Sequence, residues 1–194
     1  PDAGSDVVSV TTLARKDNGE YVINGHKIFI TNCTVAAFLL VLCVTNPYHP
    51  KKHERLSTIL VETDRPGYEA SAFHGKLSIR TSNTGEVVLK DVRVPEKNLV
   101  GEEGKGFYQV MEFFNRTRVQ VAALAVGTAQ GALDKAVAHV RRREQFGNRL
   151  ASFQMVQGKI AEMVTLTEAA RSLYYRAASK LDSETPDPAL SSMA

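Results

Sequence analysis

No proline falls between Glu96 and Thr185, a stretch of 90 residues in a chain of 194. Five of the seven prolines (Pro1, Pro47, Pro50, Pro66 and Pro95) precede that stretch, and Pro186 and Pro188 follow it. Nine of the 13 glycines also occur by Gly106. Proline lacks an amide donor and clashes with the preceding helical turn, so its absence leaves a long helix unopposed. The turn-rich first half and the breaker-free second half exclude a uniform α/β alternation. They predict two architectures in sequence, β first and helical second.

In the first half, residues 7–15 are rich in β-branched side chains, and Asp17-Asn18-Gly19 is a strong hairpin signal. Asn-Gly accepts the positive φ that a tight two-residue turn needs. Tyr21–Ile23 reads as the return strand, Asn24-Gly25 as a further turn, and His26–Thr31 as a third strand. Phe38–Thr45 is a continuous apolar run suited to a central buried strand. Leu56–Glu62 and Glu86–Val92 are two more. Short strands joined by turns predict an antiparallel meander closed as a barrel or sandwich. The glycines from Gly101 to Gly106 fit no phosphate-loop spacing and read as a flexible junction.

From Phe107 to Val140 apolar residues recur every three or four positions, which predicts one very long amphipathic helix on the order of 55 Å. Gly147 and Ala151-Ser152 interrupt the pattern, with Ser152 as an N-cap candidate, and a second stripe runs from Phe153 to Leu181. Pro186 and Pro188 end it, and Asp187-Pro188 fits the start of a third helix. Two such helices bury only one stripe each and need further helices beside them.

The 24 basic and 21 acidic residues are spread evenly over both halves, which gives a nucleic-acid surface little support. No apolar run reaches the ~18 residues of a membrane span. Cys33 and Cys43 lie in or beside apolar runs; one disulfide is open to them, with buried free thiols in a reducing compartment favoured. The five histidines show no metal-ligand spacing with them. Arg118 falls within the helical apolar stripe and Arg143 extends its line at the helix end. Such guanidinium groups mark either structural ion pairs and solvated side chains or anion recognition. For Arg143, in a run of three arginines, a helix-dipole partner is the simpler alternative.

Five segments in order resemble the acyl-CoA dehydrogenase family. Pro1-Asp2-Ala3-Gly4-Ser5-Asp6 is similar to the close of its Thr-Glu-Pro-x-Ala-Gly-Ser-Asp motif. Asn24-Gly25-His26-Lys27-Ile28-Phe29-Ile30-Thr31-Asn32 resembles its Asn-Gly-x-Lys-x-(Trp/Phe)-Ile-Thr-Asn strand. Arg80-Thr81-Ser82-Asn83-Thr84 and Asp91-Val92-Arg93-Val94-Pro95 resemble the close of its middle domain. Arg143-Glu144-Gln145-Phe146-Gly147 with Phe153-Gln154 resembles its Arg-x-x-Phe-Gly…Phe-Gln signature. Ser78 departs from the glycine common at its place.

The resemblance implies an α+β fragment: a middle β-barrel over residues 1–97, then a long antiparallel helical hairpin over 104–194, half of a four-helix bundle. Both chain ends then read as cuts. It implies FAD as cofactor and an acyl-CoA substrate. The reaction is α,β-dehydrogenation to the enoyl-CoA with hydride transfer to flavin N5. An electron-transfer flavoprotein is the implied acceptor, and the implied assembly is a homo-oligomer, dimer or tetramer. Cytoplasm or mitochondrial matrix is the implied location, with no nucleic-acid partner, membrane span or metal. Carried to this sequence, Gly4, Ser5, Phe29, Ile30 and Thr31 would meet the flavin. Arg143 would pair with the pyrophosphate of a neighbouring subunit's FAD, with Phe146, Phe153 and Gln154 near its adenine end. Ser5, Asn115, Thr117 and Arg118 would face the acyl-CoA. The family's catalytic carboxylate lies on a late bundle segment or at the place of Thr117, so no catalytic base is expected among these residues; Glu112 reads as a solvated helix position. An acyl-CoA oxidase-like flavoprotein and a non-catalytic assembly fragment are the alternatives.

Overall fold

The computed structural model describes residues 1–181 and 187–194. They form two compact units, Pro1–Met111 and Glu112–Ala194.

The first unit is built on β1 (Leu13–Asp17), β2 (Glu20–Thr31), β3 (Phe38–Val44), β4 (Leu56–Glu62), β5 (Tyr68–Ala72), β6 (Thr84–Pro95) and β7 (Leu99–Val100). They make one sheet in the order β5-β6-β2-β1-β3-β4-β7. Asn18 and Gly19, at φ 52° and 81°, close the β1–β2 hairpin as the Asn-Gly signal predicts. The expected antiparallel barrel is not formed. The sheet is open and mixed: β5 and β7 are unjoined edges, and β1 pairs parallel with β3 through Leu13 and Val44. After β2 the chain crosses to the far side of β1 before running β3, a step that strand and turn signals do not encode. The sheet nevertheless curls around one core, in which Ile59 and Val61 of β4 pack with Tyr21, Ile23, Val87, Leu89, Val92 and Val94.

Several local expectations change. Residues 7–9 form a 3-10 turn rather than the start of a strand. Asn24-Gly25 is not a turn but lies within continuous β2, at a register shift against β6. Asn24 is held there by its side chain, which donates to Asp91 Oδ1 (2.9 Å) and accepts from the Asp91 amide (2.9 Å). β3 sits inside the sheet order but buries only Val41 and Cys43, leaving Phe38 and Leu40 exposed. The Gly101–Gly106 segment is tied down: the Gly104 amide donates to Ser57 Oγ (2.9 Å), and a Cβ on Gly106 would lie 2.6–2.7 Å from the Ser57 backbone. Both cysteines are free and buried, which removes the disulfide alternative. Burial pushes the Cys43 thiol up to about 12 and raises that of Cys33.

The second unit is a helical hairpin. α1 (Gly106–Arg142) is 37 residues long and begins in the first unit; α2 (Gln154–Leu181) and the short α3 (Pro188–Met193) follow. Val119 of α1, Ala177 of α2 and Leu190 of α3 form a small core, and Arg171 Nη2 donates to Gln130 Oε1 across the hairpin (2.6 Å). Asp187 caps α3 through the amides of Ala189 and Leu190, with Pro188 at the first helical position, as the sequence predicts. Pro186, the other predicted helix stop, lies outside the described residues. Ser152 does not cap α2; its hydroxyl donates to Arg149 O in the preceding 3-10 turn (2.7 Å). The buried line of α1 is Val119, Val126 and Leu133, spaced by seven, whereas Val121 on the predicted stripe is 64% exposed. The expected face is met only in part: it includes the buried Leu133, whereas Val119 and Val126 take the packing position in place of Val121. No helix among the described residues is long and apolar enough to cross a membrane.

Two glycine substitutions should move stability in opposite directions. Gly106→Ala drives a methyl into the β4 backbone and should cost about 1–3 kcal/mol. Gly127→Ala meets nothing within 4 Å in mid-α1 and should stabilise by about 0.5–1 kcal/mol. Denaturant midpoints of the two variants check both signs. For the thiols, alkylation at pH 8 should require unfolding at both sites. The Cys43 thiol is neutral in the fold up to about 12 but ionises near 9.0 once exposed. Its contribution is therefore present below about 9 and lost as pH climbs toward 12, which a series of melts at rising pH would read.

Candidate flavin and acyl-CoA site

Within the first unit, the β2–β6 ladder positions the predicted flavin residues. Inward positions on β2 run Tyr21, Ile23, Gly25, Lys27, paired with Val94, Val92, Leu89 and Val87. Strict alternation makes Phe29 the next inward residue. Instead the register shifts between Ile28 and Ile30, and Ile30 pairs with Gly85 and packs on the core. Phe29 is the extra residue of this β-bulge, at φ 59° and 72% exposed. An aromatic residue in the left-handed region costs of order 1–3 kcal/mol and persists only where its surroundings impose it. Its ring meets Phe73 edge-on at 5.6 Å between centroids. Phe73 has no counterpart in the sequence reading; an aromatic one residue beyond a strand end carries no signal of its own.

The bulge also turns Thr31 outward, opposite Thr84. Its hydroxyl has no side-chain hydrogen bond among the described residues. Asn32, at φ 62°, then ends the strand, its amide donating to Asn83 O (2.9 Å). The arrangement offers an apolar ring face, a free hydroxyl and strand backbone on one exposed edge, which suits a flat conjugated ring system with polar atoms along one side. Gly4 and Ser5 lie in the segment before the first strand, Ser5 is exposed, and a Cβ on Gly4 would have open space around it.

Behind this edge, Lys27 turns inward and donates to Leu42 O (2.8 Å), and burial lowers its pKa. A nearby polar ladder, with Ser71 Oγ donating to Glu86 (2.9 Å) and His26 Nε2 bonding it (3.0 Å), lies on the solvent face. The two hydrogen bonds hold the Glu86 carboxyl below the usual range. Histidine is not placed between serine and carboxylate there, so the group has no relay geometry.

Within the second unit, Arg143 follows α1 and leads into a two-stranded ribbon, β8 (Glu144–Gln145) and β9 (Asn148–Arg149). Phe146 and Gly147, at φ 52° and 74°, form its turn. Phe146 is 92% exposed and touches Phe153 at 6.5 Å between centroids. Gln154 opens α2 and is exposed, and the exposed Arg143 side chain has no acidic or hydrogen-bonding partner among the described residues. The ribbon and the start of α2 thus carry Arg143, Phe146, Phe153 and Gln154, of which Phe146 and Phe153 are in ring contact.

Farther up α1, Arg118 Nη1 donates to Asn115 Oδ1 (2.6 Å), and Thr117 lies one residue away along the same open groove with Phe114, Val121 and Ala125. Arg118 is exposed rather than buried, as are Phe114 and Val121 beside it. Glu112 pairs with Arg116 at 3.6 Å on a solvated face.

Against known proteins, residues 1–92 match the acyl-CoA dehydrogenase middle domain and residues 104–194 the acyl-CoA dehydrogenase C-terminal domain. Cyclohexane-1-carbonyl-CoA dehydrogenase of Geobacter metallireducens is 44% identical over 193 residues, which is 100% of this chain and 50% of that protein. The butyryl-CoA dehydrogenase structure from Megasphaera elsdenii superposes with a TM-score of 0.94 at 38% identity, covering 100% of this chain and 50% of that one. A glutaryl-CoA dehydrogenase from Mycobacterium smegmatis, solved in complex with FADH2, gives 0.91 at 30% identity, over 100% of this chain and 48% of that one. The chain spans about half the length of the curated relatives it matches.

Phe29→Gly separates positioning from packing. Removing a buried phenylalanine costs about 3–5 kcal/mol, whereas relief of the left-handed conformation here should leave stability unchanged or raise it by up to about 1 kcal/mol. A loss above 2 kcal/mol in urea unfolding would show that the ring is a packing element. The chain belongs to the acyl-CoA dehydrogenase family.

Proposed function

We propose that this chain supplies the flavin edge and much of the substrate-facing helix of an FAD-dependent acyl-CoA dehydrogenase. The observation that carries the reading is Phe29: an exposed aromatic ring held at positive φ by a bulge, beside a threonine with a free hydroxyl. Bound FAD would supply the acceptor for the β hydrogen at its N5 atom.

The chain's own residues do the holding. Phe29 presents an apolar wall to the ring system, and the Ile30 backbone and Thr31 hydroxyl offer hydrogen bonds along its edge. Gly4 and Ser5 approach the cofactor through a segment without bulky side chains, Ser5 also reaching the acyl-CoA. Arg143 takes the pyrophosphate charge, that of a neighbouring subunit's cofactor in a homo-oligomer, while Phe146, Phe153 and Gln154 flank the adenine end. Asn115, Thr117 and Arg118 face the polar part of the CoA thioester along the α1 groove, the guanidinium pre-oriented by Asn115.

Abstraction of the α proton needs a carboxylate; Thr117 cannot serve, and the family resemblance puts the base outside these residues. The two free, buried thiols suit a reducing compartment, cytoplasm or mitochondrial matrix. An electron-transfer flavoprotein is the acceptor this reading implies.

The test is made at full length. The purified protein should carry flavin absorbance that an acyl-CoA bleaches, and bleaching that persists in air distinguishes a dehydrogenase from an oxidase-like relative. Arg143→Ala should weaken FAD retention about ten- to a hundredfold through loss of a charged hydrogen bond. Thr31→Val should lower kcat by a similar factor with KM little changed. Absence of flavin from folded full-length protein would sink the reading and leave a role in assembly.

A further inference from the structure

Six non-glycine residues sit at positive φ among those described. Asn18, Asn32 and Asp91 are of the type that tolerates this conformation. The other three are bulky: Phe29, Phe146 and Ile79. Phe29 and Phe146 belong to the proposed cofactor surfaces. Ile79, at φ 47° and 67% exposed, belongs to the connection between β5 and β6, which the proposed function does not use.

That connection touches the flavin edge twice. At its start Phe73 packs on Phe29, and the Phe73 amide donates to Thr84 O (2.8 Å). At its end Thr84 is the cross-strand partner of Thr31, and Asn83 O accepts the Asn32 amide. Between them the chain makes a loop with Leu77 and Ile79 in solvent, so no hydrophobic packing fixes its shape. Besides the Phe73–Thr84 backbone bond and the Asn83 side chain, which donates to Thr34 Oγ1 (2.8 Å), one side chain spans its neck. Lys76 Nζ donates to Ser82 O (2.6 Å) and to Thr84 Oγ1 (3.0 Å). An ammonium has three donors and here spends two of them across the loop's neck. One of its acceptors is the residue paired with Thr31.

We propose that Lys76 is a positioning residue for the flavin edge: by stapling the β5–β6 loop to Thr84 it sets Thr31, and by fixing the start of that loop it sets Phe73 against Phe29. This rests on the flavin reading above. The aromatic wall and the hydroxyl belong to an exposed strand end whose bulge costs energy, and such a place holds one conformation only if something outside it is fixed. The Lys76 bridge adds such a fixture from the loop side.

The test compares Lys76→Met, which keeps length and removes the donors, with Lys76→Arg, which keeps the charge and offers donors again. In the flavin-stripped full-length protein, Lys76→Met should lose at least tenfold of the amide exchange protection at Phe73 and Asn32, with Tyr21 and Ile23 unchanged. In the flavin-loaded protein it should shift the visible flavin band and lower kcat more than it raises KM, and Lys76→Arg should restore both. Unchanged exchange at Phe73 and Asn32 overturns the proposal outright. Loosened exchange with an unaltered flavin band and kcat also overturns it, showing a staple that serves only the loop. A wild-type protein that takes up no flavin refutes the flavin reading and this role with it, whereas the exchange result then still reports whether the staple exists.

Discussion

The first unit depends on two opposed register shifts in a single strand pair. Between Ile23 and Gly25 of β2, β6 carries the extra residue, at Asp91 with φ 49°; between Ile28 and Ile30, β2 carries it, at Phe29. Side chains alternate with a period of two, so each insertion exchanges the faces of everything beyond it. The first keeps Val87 and Leu89 on the same core side as Val92 and Val94. The second lets Ile30 enter the core in place of Phe29. Without it the aromatic would be interior and Thr31 would point inward, and the strand would have no exposed edge to offer a ligand.

The two insertions are held by different means, and the difference follows from what each does. Asp91 tolerates its conformation and is clasped by Asn24 through two hydrogen bonds, a self-sufficient device. Phe29 has neither a tolerant side chain nor a polar clasp. Its conformation is imposed by neighbours: the Ile30–Gly85 pairing on one side and the Phe73 ring on the other. The same contrast appears in the helical unit. Phe146 in the β8–β9 turn is bulky, exposed and left-handed, supported by Gly147 and by contact with Phe153. Both positions present an aromatic face outward; Ile79, the third bulky residue at positive φ, presents none.

These are also the places where the sequence is hardest to read. The proline gap announces α1 and α2, Asn18-Gly19 announces the hairpin, and Asp187-Pro188 announces α3, because each signal acts locally. The open order of the sheet was not legible, since it depends on β3 crossing past β1 and on β5 and β7 remaining apart. Phe29 was placed at the site by resemblance alone. Alternation from Tyr21 would have buried it, and no residue near Ile28 marks a bulge of this kind. Arg118 is the converse case. It lies on the expected apolar face beside Phe114 and Val121, which are exposed, while Val119 and Val126 do the packing at that level.

The exposed apolar residues of α1 bear on the proposed substrate contacts. Val119 packs with Ala177 and Leu190. Phe114 and Val121 stay exposed and line a groove with Thr117 and Arg118, walled on one side by Ser191 and Ser192 of α3. A polar cluster on such a face is neither a core liability nor an ordinary solvated patch. The surrounding apolar surface lowers the local dielectric once anything lies against it, and a guanidinium already oriented by Asn115 gains most from that change. The hydrogen bond from Arg118 to Asn115 thus fixes direction in advance, while the groove supplies the apolar surroundings that make direction count.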